Sequence, residues 1–134
     1  MRSSLTNHRP MNSTFSKILK WLLGLALLAF GANKFFEFLT PPEFPPRAAE
    51  FMTSLDATGY VLYIVGALEI LVGLMLLLNK WVPFALILLA PISLNIVLFH
   101  VFLDLPDIGI ALVVAGLNAL LIYKYWKAYT PLFT

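Results

Sequence analysis

The stretch Tyr60–Leu78 limits what this chain can become, because it is apolar throughout and holds a single charged residue, Glu69. As a helix the run reaches about 30 Å, the thickness of a bilayer's hydrocarbon core. Lipid offers no partners for an open backbone, so the run predicts a membrane-spanning helix. Around that helix Gly66 and Gly73 fall within about 60° of Glu69, and the acid shares its stripe with the smallest residues available. Such a stripe is where a neighbouring helix packs closely and where an ionisable group can leave the lipid.

The rest of the chain follows the same pattern. Of its 134 residues 60% are hydrophobic, above the roughly half expected of a soluble domain. Apolar runs at about 18–39, 60–78, 83–103 and 108–123 predict an all-α fold. The expected architecture is one four-transmembrane-helix bundle over residues 17–127. Residues 1–16 are polar with Arg2 and Arg9 and no apolar period, and are expected to form a disordered arm. Residues 128–134 form a tail. Lys17 and Lys20 ahead of the first run resemble the start of a signal peptide, but the run is long for one and continues through Phe35, Phe36 and Phe38. It is expected to be the first span.

Between the first two runs, Pro41-Pro42-Glu43-Phe44-Pro45-Pro46 favours an extended chain. Arg47–Leu55 then places Ala48, Phe51, Met52 and Leu55 on one face, the spacing of a short extracytoplasmic interfacial helix between helices 1 and 2. Asn79-Lys80-Trp81-Val82-Pro83 reads as a tight turn, with Asn near a helix C-terminus and Pro opening the next helix. Pro91 is expected to kink the third span.

Orientation follows from the basic residues. Arg2, Arg9, Lys17, Lys20, Lys80, Lys124 and Lys127 fall on one side of a four-span layout, and only Lys34 and Arg47 on the other. This positive-inside bias predicts a multi-pass membrane protein with both termini cytoplasmic. The basic residues punctuate apolar runs and form no patch for nucleic acid. Cysteine is absent, so thiolate chemistry, disulfides and cysteine-held metal are excluded. The only histidines are His8 and His100, and no metal or nucleotide motif is present.

Counted from the outer helix ends, Glu69 lies about 15 Å deep, Asn95 about 12 Å, and Lys34 and His100 about 5 Å. Asn118 lies about 17 Å deep. Glu69 requires protonation, an ion pair with Lys34 or His100, or a hydrogen bond to Asn95. Its role is either to fix helix packing or to exchange protons and touch a ligand. Lys34 either snorkels to the headgroups or turns inward with Gly24 and Gly31. His100 either bonds Asp104 one turn later or takes part in proton transfer. Asn95 is either packing glue or part of the same polar site, and Asn118 is glue. Phe35, Phe36, Phe99 and Phe102 face lipid, fill core or line a slot for a quinone-like ring.

Several stretches together resemble the DoxX family. They are Phe30-Gly31-Ala32-Asn33-Lys34-Phe35, the proline-rich connector into Ala48-Ala49-Glu50-Phe51, and Thr58-Gly59-Tyr60. Gly66-Ala67-Leu68-Glu69 with Gly73, Ala90-Pro91-Ile92, Asn95 and Phe99-His100 complete the set. The resemblance implies a four-helix membrane bundle. It also implies a link to quinone-coupled sulfur-compound oxidation or redox-stress complexes, whereas animal relatives look like membrane chaperones. Two functions are therefore expected. In one, a redox-associated subunit takes quinone or a small reductant, with Glu69 and His100 in catalytic proton exchange and Asn33, Lys34 and Asn95 in ligand binding. It would act with a partner redox subunit or as a homo-oligomer in the lipid bilayer, with no metal. In the other, the chain is a non-catalytic scaffold whose polar residues fix helix packing.

Overall fold

The computed structural model describes residues 13–134. Its helices are α1 (Ser13–Phe36), α2 (Pro46–Ala57), α3 (Val61–Leu78), α4 (Val82–Leu103), α5 (Gly109–Lys124) and α6 (Trp126–Tyr129). Short 3-10 turns cover Leu105–Asp107 and Thr130–Phe133, and the described residues contain no strand. The all-α expectation holds. α1, α3 and α4 are each long and apolar enough to cross a membrane. α5 joins them only if it is counted together with Trp126–Phe133 across a 75° bend.

The four long helices close a ring in which α1 packs on α3, α3 on α4, α4 on α5, and α5 back on α1. Leu23 and Leu27, Val72 and Leu76, Leu86 and Leu89, and Leu121 fill its centre and are fully or almost fully buried. The outside is equally apolar: Leu78, Phe84, Ile110 and Val113 are exposed. Large apolar side chains on both sides of a helix mark a bundle whose solvent is lipid.

Helix ends differ from expectation in three places, each for a local reason. The first apolar run was expected to stay helical to Leu39, but α1 stops at Phe36. Glu37 adopts a left-handed φ of 50°, and the Asn33 side-chain oxygen accepts the Leu39 N–H at 2.7 Å. A side chain thus ends the helix before Pro41 could. At the other end, residues 13–16 of the expected arm are already the first turn of α1, because Ser16 is buried against α5 and bonds there. Residues 1–12 of that arm lie outside the described residues. The expected tail 128–134 is folded as well: the buried Tyr129 hydroxyl donates to the Pro83 carbonyl at 2.7 Å, and Trp126 stacks on Phe133.

The turn between α3 and α4 matches its sequence cue, with Asn79 ending α3 and Pro83 in the first turn of α4. Thr58 Oγ1 donates to Leu55 O at 2.6 Å and accepts the Val61 N–H at 3.2 Å, linking α2 to the start of α3. Asn79 closes α3 in the left-handed region at φ 57°, with the Lys80 N–H donating back to Met75 O. α2 rests on α3 and α4, burying Ala48, while Phe44 and Phe51 contact the Phe99 ring at 5.7 and 5.8 Å. Pro91 sits within α4, which continues on both sides of it.

Candidate functional site

The site is built on the seam between α1 and α3. Gly31 meets Gly66, and seven residues along each helix Gly24 meets Gly73. A Cβ on Gly31 would stand 2.7 Å from the Gly66 carbonyl oxygen, and one on Gly73 would stand 2.8 Å from the Gly24 carbonyl oxygen. The obstacles are backbone atoms, so only glycine allows this approach. Because residue numbers rise along α1 as they fall along α3, the helices run antiparallel.

That antiparallel seam brings Lys34 and Glu69 together. Lys34 Nζ donates to Glu69 Oε1 at 2.7 Å. The two residues are not level: Lys34 lies three residues outward of Gly31 and Glu69 three residues inward of Gly66, an offset of about 9 Å along the axis. Side chains on a helix lean toward its own N-terminus, so the lysine leans inward and the glutamate outward until they meet. Gly66 provides the passage, since the Lys34 Cβ lies 3.0 Å from where its Cβ would be. Lys34 therefore turns into the bundle. The Glu69 side chain is 3% exposed and that of Lys34 24%, so the pair can be reached only from the lysine end. There the Phe35 and Tyr63 rings pack 5.4 Å apart.

The other expected site residues stand elsewhere. Asn95 lies on the exposed face of α4 and donates to its own helix, Nδ2 to Pro91 O at 2.8 Å, with no bond to Glu69. The Asn33 carboxamide oxygen is committed to ending α1. His100 contacts Asp104 one turn later, with Nδ1 3.1 Å from the Asp104 carbonyl oxygen and 3.6 Å from Oδ2. A carbonyl only accepts, so this bond puts the ring hydrogen on Nδ1 and leaves Nε2 as the proton acceptor of the neutral imidazole. Asn118 donates to Leu86 O at 3.0 Å and accepts from Ser93 Oγ at 2.9 Å, tying α5 to α4. It borders an open groove of about 500 Å³ between those helices, lined mainly by apolar and small residues such as Ala90, Leu94 and Ala119. Among the described residues no group of three or more His, Asp or Glu converges as a metal site would require.

Two polar residues that matter were not singled out in the sequence. Asp104 is 2% exposed, and neither carboxylate oxygen has a hydrogen-bond partner in the described structure. Lys20 is 6% exposed and donates to Asn79 Oδ1 at 2.5 Å. Lys20 had a legible signal, because it lies one turn before Gly24 on the stripe that continues through Gly31 to Lys34.

Neither the curated proteins nor the solved structures contain a match to the chain. Among protein families, DoxX matches residues 16–101, well over half the chain. The matched segment contains both glycine pairs, Lys34 and Glu69, and it ends just beyond His100. The chain belongs to the DoxX family.

Proposed function

We propose that this chain is the membrane subunit of a redox system, taking the polar head of a quinone or a small reductant at Lys34 and Glu69. In this reading α5 is the fourth span, α2 lies in the outer interface, and the basic helix ends face the cytoplasm of a bacterium. The carrying observation is the unequal exposure of the ion pair: a sealed carboxylate behind a reachable ammonium. Lys34 Nζ has three hydrogens and gives one to Glu69, which leaves donors for a ring oxygen. Phe35 and Tyr63 supply an apolar flank, so the donor set and its surroundings fit an aromatic ring carrying oxygens. Bound there, a quinone would supply the electron chemistry.

The chain's own residues orient the ring and handle protons. Lys34 holds the ring oxygen and stabilises negative charge on it. Glu69, the carboxylate of the pair, would accept a proton from the reduced ring through the lysine it already contacts. His100 is a second exchange point through Nε2, with Asp104 stabilising its charged form. Electrons come through a bound cofactor or a partner subunit, since the chain has no cysteine to relay them.

The test is calorimetric titration of purified protein in nanodiscs with a short-chain ubiquinone and a short-chain menaquinone. Saturable binding should weaken at least about tenfold in Lys34→Met, the loss of one charge-assisted contact. Equal affinity in wild type, Lys34→Met and Glu69→Gln ends the reading. A second reading, a scaffold, draws support from Asn33 and Asn95, whose side chains are spent on their own backbone. It expects Glu69→Gln to lower stability while leaving any associated redox activity per folded molecule unchanged.

A further inference from the structure

The end of the bundle opposite the Lys34–Glu69 pair has a different imbalance. There Lys20 is almost wholly buried, and the partner it bonds, the Asn79 carboxamide, is neutral. Lys124 Nζ donates to Ser16 Oγ at 2.5 Å, and Ser16 is buried one turn before Lys20 on the same helix. Lys17 and Lys124 are both near enough to repel Lys20. No aspartate or glutamate occurs in residues 1–36, 70–103 or 108–134, which include every described segment that builds this end. The chain's seven acidic side chains are at mid-depth or at the other end, and Glu69 is ten residues, about 15 Å, along α3 from Asn79. A desolvated cation is costly without a counter-charge, and the carbonyl end of α3 beside Lys20 supplies only a partial one. Here no acidic side chain of the protein can supply the rest.

We propose that a phosphate-bearing anion occupies the end of the bundle where Ser16, Lys20 and Lys124 meet the α3 C-terminus, supplied by the headgroup of an anionic phospholipid. Lys20 is one turn inside the Asn79-Lys80 turn, near the depth of a headgroup phosphate when α3 crosses the bilayer. Around it Ile18, Trp21 and Trp126 are exposed apolar or aromatic surface for acyl chains and the headgroup boundary. Lys20 retains hydrogens beyond its bond to Asn79 and grips the phosphate from α1, with the positive charge of Lys124 on α5 beside it. The site is independent of any ligand at Lys34.

The experiment uses full-length protein in non-ionic detergent, stripped of lipid. Native mass spectrometry counts retained phosphatidylglycerol against phosphatidylcholine, and a thermal melt reads protection by inorganic phosphate. Wild type should retain several-fold more phosphatidylglycerol, and Lys20→Gln should lose about fivefold of that preference, roughly the worth of one lysine near a lipid surface. Lys80→Gln, the same charge change at an exposed position on the same end, should lose much less. Lysine-20-dependent protection by inorganic phosphate without lipid preference assigns the same chemistry to a free anion. Asn79→Asp provides an internal counter-charge and should remove the lipid preference while raising stability in neutral lipid, a result readable even if Lys20→Gln fails to fold. Equal losses in Lys20→Gln and Lys80→Gln, or undiminished phosphatidylglycerol retention in Asn79→Asp, overturn the proposal.

Discussion

Lys34 and Glu69 meet at 2.7 Å although their positions on α1 and α3 are about 9 Å out of level. The contact depends on direction: in an antiparallel pair each side chain leans toward the other's helix end, and the glycines between let the lysine stem pass. A charge pair in lipid has no water to fall back on, so its two halves are unequal to the sum of single deletions.

Lys34→Met should therefore destabilise strongly, by about 3 kcal/mol, because it leaves Glu69 buried without its partner. The double variant Lys34→Met/Glu69→Leu should return to within about 1 kcal/mol of wild type. Unfolding in mixed micelles measures both. Additive losses would mean that the pair does not act as a unit.

The glycine contacts predict an ordered series. Gly31→Ala and Gly73→Ala drive a methyl into backbone carbonyls and should each cost about 1–3 kcal/mol. Gly116→Ala has nothing within 4 Å and should be neutral or gain up to about 1 kcal/mol from helix propensity. Melting temperatures of the three in one detergent decide it. A Gly116→Ala loss as large as the others would show that a general response to helix glycines, not the seam, sets the cost.

How much of this could be read in the sequence depends on whether a feature is periodic. The stripe Gly66, Glu69, Gly73 and its counterpart Gly24, Gly31 are visible in numbers alone, because helical spacing is fixed. The inward turn of Lys34 is not, since snorkelling and pairing begin from the same residue and only the partner's lean decides. Asn95 shows the opposite limit: its side chain bonds the Pro91 carbonyl four residues back, a local competitor that depth and facing do not register. Asp104 was named only as a partner of His100, and its burial arises from chain segments whose packing no periodicity announces. The start of α1 at Ser13 likewise depends on a contact 108 residues away, from Lys124 to Ser16.

Asp104 predicts a gain. Both of its carboxylate oxygens are buried without a hydrogen bond, at a depth where such a group costs about 1–3 kcal/mol or more if charged. Asp104→Asn removes the charge at nearly constant volume and should stabilise the fold by about that amount. If His100 exchanges protons in the proposed reaction, the same variant should slow turnover, the pattern of a group kept for work at the expense of stability. A destabilised Asp104→Asn would mean that the contact to His100 already compensates the carboxylate.

The last prediction concerns the far end of the chain, beyond the bend that follows α5. Burial, with a smaller contribution from Tyr125, pushes the Tyr129 hydroxyl up to about 12, so it stays protonated and donates to the Pro83 carbonyl that opens α4. A group whose folded pKa is raised stabilises fully below its unfolded value, near 10, and loses that contribution as pH rises through the folded value. The wild-type bundle should therefore lose stability between about pH 10 and pH 12, beyond the decline seen in Tyr129→Phe. At pH 7 that variant should sit about 1 kcal/mol lower from the missing hydrogen bond. Melts of the two proteins at matched alkaline pH give the comparison. Parallel curves across the whole range would mean that the segment after α5 is not anchored on Pro83 in solution, and that α6 contributes nothing to holding the start of α4.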